Sequence, residues 1–176
     1  MVSRPAGAGG KSARPGEADP PLASFRGSFL HTLDLKGRLT LAPPIRRVTG
    51  VKQKGGPEPY LILTKGLNGC LWAFTEDEWS RLEGKLRSKQ FQDQESRDFV
   101  LEMMSHVQDV PIDSAARILI PQTYLKIAGL DRGGEVKVIG MMDHVELWHP
   151  KRYEDHVEAA RKRGSYEENS RELLRN

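Results

Sequence analysis

The segment FRGSFLHTLDLKGRLTLAPPIRRVTG, residues 25–50, returns in altered form as VQDVPIDSAARILIPQTYLKIAGL, residues 107–130. Aligned at an offset of 79 residues (113 minus 34), the copies match at seven positions: Leu33 with Ile112, Asp34 with Asp113, Arg38 with Arg117, Leu39 with Ile118, Leu41 with Ile120, Val48 with Ile127, and Gly50 with Gly129. An internal repeat predicts that one structural unit is used twice. We therefore expect the two copies to share one core.

Each copy has the pattern of a strand, a turn, a second strand and a short helix that begins at a proline and ends at a glycine. In the first copy Asp34 and Arg38 flank the turn, and Lys36 and Gly37 fill it. An aspartate at the start of such a turn can accept hydrogen bonds from backbone amides, while the arginine stays near the tip. The pattern predicts a hairpin in which Asp34 and Gly37 brace the turn and Arg38 and Lys36 make its tip positive.

The second copy departs from this pattern in its turn, which reads Ser114-Ala115-Ala116-Arg117 after Asp113. Without the glycine, a turn residue at positive φ costs more, and without the lysine one cation is lost. Asp113 is expected to brace this turn as well. Arg117 is expected either to contact phosphate or to pair only with Asp113, and the sequence leaves both open. We predict unequal copies, of which the first does most of the recognition.

Charge is distributed unevenly along a chain whose net charge is only +3. Residues 25–66 contain eight basic and two acidic residues, a balance of +6, whereas residues 76–113 contain ten acidic and five basic residues, a balance of −5. Such segregation indicates one cationic and one acidic face, as expected of a protein that binds phosphate. Basic residues that only solvate strand edges would give the same count. The repeat favours a phosphate-binding face over that alternative.

Length and composition limit the class of protein. A chain of 176 residues with 38% hydrophobic and 7% aromatic residues fits one compact domain or two small intertwined ones. The single cysteine, Cys70, excludes an intramolecular disulfide framework and agrees with a reducing compartment. No apolar run reaches the ~18 residues of a membrane span, and the amino terminus has no apolar signal core. We expect a cytoplasmic protein that does not enter a membrane.

Five regions are predicted along the chain: a disordered tail over 1–24, the first repeat over 25–75, a helical insert over 76–107, the second repeat over 108–150, and a final helix with a polar tail over 151–176. Strands are expected over 60–64, 70–74, 135–140 and 145–148. The insert should hold two helices, the second over 93–106 with one apolar stripe: Phe99, Val100, Met103, Met104 and Val107. This stripe is expected to pack against the fold or a neighbouring subunit; a partner groove is the alternative.

Catalytic and metal-binding patterns are missing from the sequence. It has no G-x-S-x-G, no phosphate-loop glycine pattern and no metal-ligand spacing among Cys70 and the five histidines: His31, His106, His144, His149 and His156. We therefore expect a protein that is not an enzyme and that has no metal site and no cofactor.

Six short motifs occur in a fixed order along the chain: F-R-G, H-T-L-D-x-K-G-R-L, G-L-N-G-C-L-W, a second D-x-x-x-R, I-L-I-P and D-H-V-E-L-W. Together they resemble the MraZ family, whose chains carry two tandem SpoVT/AbrB-type DNA-binding units, each with a D-x-x-x-R signature. The resemblance extends from about Phe25 to about Val157. It implies a mixed α+β fold in which two AbrB-like β repeats interlock as a pseudo-dimer around a small β-barrel, with peripheral helices.

The same resemblance implies that Arg38, with Asp34 and Lys36 around it, belongs to a DNA-contacting motif. Arg26 and Lys36 are assigned as contacts to the DNA backbone, and Arg117 is the candidate from the second copy. The implied function is that of a nucleoid-associated, sequence-specific transcriptional regulator, expected to repress, which assembles into a ring. It would bind repeated sites in double-stranded DNA upstream of the operon for cell division and cell-wall synthesis, including its own gene.

A different class of function stays open from the sequence. A ring-forming scaffold, whose acidic helices recruit a partner and whose affinity for nucleic acid is incidental, would carry the same charge segregation. An antitoxin of the AbrB type fits less well, because such chains usually have one copy of the unit and a long partner-binding tail.

Overall fold

The computed structural model of the chain describes residues 24–49, 58–164 and 166–175. Apart from Ser24, the predicted tail lies outside the described residues, as do Gly50 and most of the loop that follows it. The described part is a mixed α+β protein, as predicted.

Eight strands and six α-helices are present in the described residues. In chain order they are β1 (Ser28–Thr32), β2 (Arg38–Thr40), α1 (Pro43–Val48), β3 (Tyr60–Lys65), β4 (Leu71–Phe74), α2 (Glu76–Lys89), α3 (Gln94–Met104), β5 (Gln108–Pro111), β6 (Arg117–Leu119), α4 (Gln122–Ala128), β7 (Glu135–Gly140), β8 (Val145–Trp148), α5 (Pro150–Arg163) and α6 (Tyr166–Leu173). The two strands predicted over 135–140 and 145–148 are confirmed at both ends.

Six of these strands form one antiparallel sheet in the order β1-β7-β8-β4-β3-β5. β1 from the first copy pairs with β7 of the second, and β5 from the second copy pairs with β3 of the first. At the centre, β4 and β8 place Leu71 opposite Leu147, its equivalent at an offset of 76 residues (147 minus 71). The sheet is therefore symmetric about this pair, and the two copies are interlocked by exchanged strands.

The remaining two strands, β2 and β6, form a separate antiparallel ribbon. Leu39 lies opposite Ile118, which is its equivalent at the repeat offset of 79, so the ribbon is symmetric as well. Both side chains are buried in a core to which both copies contribute. Leu39 and Ile118 cover each other, so each copy needs the other copy to bury its apolar face.

The predicted small β-barrel is not confirmed. The sheet of described strands stays open, with β1 and β5 at its edges, and an isolated bridge between Ile112 and Ile118 joins the second turn region to the ribbon. The predicted hairpin is short: the amide of Asp34 donates to the Arg38 carbonyl (3.0 Å), and Ile112 bridges Ile118 across the second turn. Beyond these residues, β1 pairs with β7 while β2 pairs with β6. The chain leaves the sheet at each turn, since β2 and β6 take each other as partners.

One carboxylate links the two copies near the centre of the sheet. Oε1 of Glu146 accepts a hydrogen bond from Nε1 of Trp72 (3.0 Å), and Oε2 accepts one from Nε1 of Trp148 (2.8 Å). The two tryptophans are equivalent at the offset of 76 residues (148 minus 72). Because an indole N–H that is removed from water needs an acceptor, this shared carboxylate satisfies the tryptophans of both copies.

The helices differ from expectation in two places. The stripe predicted on α3 is only partly buried: Val100 and Met103 lie in the interior, whereas Phe99 is 46% and Met104 is 42% exposed. α3 covers α2 and β3 with a single narrow face, which leaves the flanks of the stripe in solvent. The predicted polar tail also contains a further helix, α6, whose described side chains are not buried.

Candidate nucleic-acid interface

The carboxylate of Asp34 holds the first Asp-x-x-x-Arg turn. Its Oδ1 accepts hydrogen bonds from the backbone amides of Lys36 (2.8 Å) and Arg38 (2.9 Å), and its Oδ2 accepts one from Nε of Arg38 (2.5 Å). The amide of Gly37 donates to the Asp34 carbonyl (2.9 Å), which closes the turn. The backbone amide of Arg38, together with its guanidinium, lowers the pKa of Asp34 to about 2, so this carboxylate is charged at neutral pH.

The second turn repeats this geometry around Asp113. Oδ1 accepts from the amides of Ala115 (2.9 Å) and Arg117 (2.9 Å). Oδ2 accepts from Nε of Arg117 (2.8 Å) and forms an ion pair with Nη2 of the same side chain (2.8 Å). The amide of Ala116 donates to the Asp113 carbonyl (2.8 Å). The Arg117 side chain lowers the pKa of Asp113, and Asp113 in turn raises the pKa of Arg117.

The turns differ at the residue before the arginine. Gly37 has φ of 84°, and Ala116 adopts the same left-handed region with φ of 58°. A residue with a Cβ pays roughly 1–2 kcal/mol for that conformation. The turn forms in spite of this cost, because Asp113 makes the same backbone hydrogen bonds as Asp34 and the Ala116 methyl group is buried.

Both arginines point away from the core. Arg38 precedes the buried Leu39 and Arg117 precedes the buried Ile118. Side chains alternate along a strand, and Leu39 and Ile118 point inward. Their neighbours in sequence, which include both arginines, therefore project from the outer face of the ribbon. The Arg38 side chain is 31% and the Arg117 side chain 33% exposed, so both guanidiniums can be reached from solvent.

The register of the ribbon places both arginines on one surface. Arg38 lies opposite Leu119, and Thr40 lies opposite Arg117, so the two turns are at opposite ends of the ribbon. The charge of Asp34 contributes to the raised pKa of Arg117, after the larger effect of that arginine's own aspartate, which indicates that the two ion pairs are near each other. Two oriented guanidiniums therefore share one short outer face.

The aspartates fix which edge of each guanidinium is available. Nε of each arginine is bound to its aspartate, and within the described ranges the Nη groups of Arg38 make no other hydrogen bond or ion pair. A guanidinium bound through Nε still carries N–H groups on its two Nη atoms, which can donate a pair of parallel hydrogen bonds. Such a pair matches a phosphate, or O6 and N7 of a guanine.

The remaining predicted cations are placed differently from each other. Lys36 is exposed at the tip of the first turn. Arg26 precedes β1, where its Nε donates to Oγ of Ser24 (3.1 Å) beside the bridge between Phe25 and Met142. Seven residues lie between Arg26 and Asp34, and the five that form β1 alone span about 17 Å at ~3.4 Å per residue. The structure thus brings Lys36 to the ribbon and leaves Arg26 away from it.

The described residues contain no assembled metal site and no reactive thiol. Among those residues, no group of three or more His, Cys, Asp and Glu side chains is placed to hold a metal ion. Burial raises the pKa of the Cys70 thiol to about 12, so the thiol stays protonated. No helix in the same ranges has the length and apolar character needed to cross a membrane.

Comparison with known proteins agrees with the two-copy arrangement. The sequence model of the family described as "MraZ protein, putative antitoxin-like" matches residues 24–101 and 103–176. The chain belongs to the MraZ family. The first MraZ match contains the turn at Asp34, and the second contains the turn at Asp113.

Curated MraZ relatives cover most of the chain. The transcriptional regulator MraZ of Acetivibrio thermocellus is 39% identical over 132 residues, which are 75% of this chain and 85% of the relative. Proteins with the same name from Syntrophomonas wolfei and Thermus thermophilus are 34% identical over 150 residues and 35% identical over 127 residues. These matches cover 85% and 72% of this chain, and 96% and 83% of the respective relatives.

Sequence reasoning missed two residues of the MraZ ribbon, Thr40 and Leu119. They lie on the outer face directly across from the arginines. The signal that could have located them is the repeat itself: if Leu39 faces its own equivalent Ile118, then Arg38 must face the residue after Ile118. Local sequence patterns do not specify which strands pair, so only the tertiary structure shows that Leu39 faces Ile118.

Proposed function

We propose that this MraZ chain is a sequence-specific DNA-binding transcriptional regulator that contacts double-stranded DNA through the ribbon of β2 and β6. The observation that carries the proposal is the placement of Arg38 and Arg117 on one outer face, each held by its own aspartate. The major groove, about 12 Å wide, admits a two-stranded ribbon, and an arginine fork matches the acceptors of guanine. The name of the relatives, transcriptional regulator, supports the same conclusion.

The residues of the ribbon have distinct roles in this proposal. Arg38 reads a guanine, and Lys36 at the tip of the same turn contacts phosphate. Arg117 contacts phosphate or a second base at the other end of the ribbon. Asp34 and Asp113 serve the turns and do not touch DNA, because a carboxylate near phosphates is repelled. The first turn, with two cations against one, does most of the recognition.

Arg26 has a separate place in the proposal. It lies on the far side of β1 from the first turn, and β1 alone spans about 17 Å, the length of about five base pairs at ~3.4 Å per base pair. Arg26 is therefore assigned to the phosphate backbone of flanking DNA and not to the reading of bases.

Several copies acting together give this contact its strength. A single ribbon with two guanidiniums and one lysine binds weakly, but a ring of copies raises the effective concentration of each ribbon at repeated sites. The repeated sites are proposed to lie upstream of the operon for cell division and cell-wall synthesis, which includes the chain's own gene. Occupation of those sites would repress transcription, and the protein would act at the nucleoid.

The test is footprinting of the purified full chain on DNA upstream of its own gene, followed by affinity measurements on the protected site. Arg38→Ala should weaken binding to that site by about 5- to 150-fold, the worth of one bidentate contact to guanine. The matched control is Arg97→Ala, which removes the same charge from an exposed position on α3. The proposal fails if Arg38→Ala binds the protected site as tightly as the wild type does.

A scaffold function is the second candidate, and one observation favours it. α3 carries exposed Phe99, Leu101 and Met104, of which Leu101 is 64% exposed, on the acidic side of the chain. A salt titration separates the two functions. Specific recognition predicts a steep loss of affinity with salt together with a lasting preference for one sequence, whereas a scaffold with incidental affinity gives the salt dependence without the preference.

A further inference from the structure

The outer face of the ribbon carries two cross-strand pairs. Arg38 lies opposite Leu119, and Arg117 lies opposite Thr40. Thr40 and Leu119 are themselves equivalent at the repeat offset of 79 residues (119 minus 40). Each end of the ribbon therefore consists of a constant arginine and a neighbour that differs between the two ends.

The variable neighbours make one end apolar and the other hydroxyl-bearing. Leu119 is 53% exposed although the residues on both sides of it in sequence are buried. The turn at the same end carries Leu35, which is 81% exposed, whereas the second turn has Ser114 at the equivalent position. The end near the first turn thus has two exposed leucines, and the end near the second turn has Thr40 and Ser114.

The groove that the ribbon would enter has one apolar group, the C5-methyl of thymine. Residues directly opposite each other in an antiparallel pair have Cβ atoms about 4.5–5.5 Å apart, and successive bases on one strand are ~3.4 Å apart. If the Arg38 fork engages a guanine, the Leu119 side chain beside it is within reach of the adjacent base pair. A threonine at that place offers a smaller methyl group and a hydroxyl that can bond to either type of base edge.

We propose that Arg38 and Leu119 act together as a specificity unit that reads a guanine and the methyl group of the thymine beside it. The equivalent unit of Arg117 and Thr40 binds with little dependence on a thymine methyl. This inference rests on the proposed function, since it assigns the bases that the same ribbon reads. Scattered exposed leucines are ordinary on protein surfaces, and what distinguishes Leu119 is its register opposite the guanidinium that is proposed to bind guanine.

The experiment replaces thymine by uracil, which removes only the methyl group. A preferred duplex is first selected from randomised DNA with the full chain, and each thymine in it is then changed singly to uracil. At the position read by Leu119, uracil should weaken wild-type binding by about fourfold, as expected for one buried methyl group. Leu119→Ala should bind thymine and uracil duplexes equally, whereas the control Thr40→Ala should keep the wild-type preference for thymine.

A gain-of-function variant makes the test independent of lost binding. Thr40→Leu copies the apolar end onto the other half of the ribbon, and selection with this variant should yield a site with one additional position at which uracil weakens binding. Circular dichroism checks that the variants are folded, which we expect because both side chains are on the outer face.

The outcomes separate the two proposals. If no duplex is enriched in the selection, the proposed function itself fails. If a duplex is enriched but uracil never weakens wild-type binding, or weakens Leu119→Ala by the same factor, the thymine assignment is overturned and the DNA-binding function stands.

Discussion

The two Asp-x-x-x-Arg turns have the same backbone and different side chains. Asp34 and Asp113 each accept two backbone amides and the guanidinium of the arginine four residues later. Around that common frame, Gly37 is replaced by Ala116 and the exposed Lys36 corresponds to Ala115. Apart from its arginine, each aspartate bonds only to backbone amides, so the turn keeps its shape while the other residues at its tip vary.

This contrast separates two kinds of position. Residues that face inward from the ribbon are equivalent in size and burial in both copies, because they pack against each other across the symmetric pair. Apart from the two arginines, residues that face outward differ in charge and polarity, as Thr40 differs from Leu119 and Lys36 from Ala115, because they are not packed in the shared core. The expected effects of substitution follow this division, and they decrease from the interior to the surface.

The largest effect is expected at the centre of the ribbon. Leu39→Ala and Ile118→Ala each remove a large side chain that is at most 1% exposed, so each should lower the free energy of unfolding by about 2–5 kcal/mol. The two losses of unfolding free energy should agree closely, because Leu39 and Ile118 are equivalent residues that face each other at the centre of the ribbon. Urea unfolding of the full chain measures both, and Leu35→Ala, which alters an exposed leucine, should stay within about 0.5 kcal/mol of the wild type. A large loss for only one of the pair would show that the interior is not symmetric.

The next effect is expected at the residue before each arginine. Gly37→Ala should destabilise the protein by about 1–2 kcal/mol through its positive φ alone, since the added Cβ would be 3.4 Å or more from the nearest atoms. Ala116→Gly should change stability by less than about 0.5 kcal/mol, because relief of backbone strain is offset by a lost methyl group and a more flexible unfolded chain. Thermal and urea unfolding of both variants decide this, and a neutral Gly37→Ala would contradict the role of the left-handed turn.

A smaller effect is expected from the charge at the turn tips. Lys36→Ala should reduce the slope of log affinity against log salt by about 0.9, and Ala115→Lys should increase it by a similar amount, since each changes the number of phosphate contacts by one. Fluorescence anisotropy at several salt concentrations measures the slope. Lys85→Ala, on the exposed face of α2, is the control and should leave the slope unchanged. An unchanged slope for Lys36→Ala would remove the first turn from the interface.

The smallest effect concerns acid stability. The pKa of Asp34 is about 2 in the folded protein, below its ordinary value of about 3.9 in an unfolded chain. Its stabilising contribution is therefore complete above about pH 4 and is lost as the pH falls towards 2. The effect is small because both members of the ion pair are about one-third exposed to solvent.

The corresponding measurement is the urea midpoint between pH 4 and pH 2. Asp34→Asn should start from a lower midpoint than the wild type and depend less steeply on pH in that range. Asp113→Asn should behave in the same way, because the Arg117 side chain also lowers the pKa of Asp113. If the urea midpoint of both variants depended on pH as steeply as that of the wild type, other carboxylates would control acid unfolding.

Local patterns predicted much of the fold. Strands β7 and β8 and the helix that begins after Pro121 were accessible from alternation and from proline and glycine positions, because those signals act within a few residues. The open sheet, the separate ribbon and the exposure of Phe99 and Met104 were not, because each depends on which distant element lies alongside. Helix α6 was missed because its sequence is polar and gives no buried face.

For the candidate site, the sequence alone determined two turns in which an aspartate and an arginine stand four residues apart, since every bond that defines them lies within five consecutive residues. The tertiary structure determined that the two arginines share a surface and that Leu119, not a residue of the first copy, lies beside Arg38. The reason is the antiparallel pairing of β2 with β6 about Leu39 and Ile118, a contact between residues 79 positions apart (118 minus 39). No short-range pattern in the chain specifies that partner.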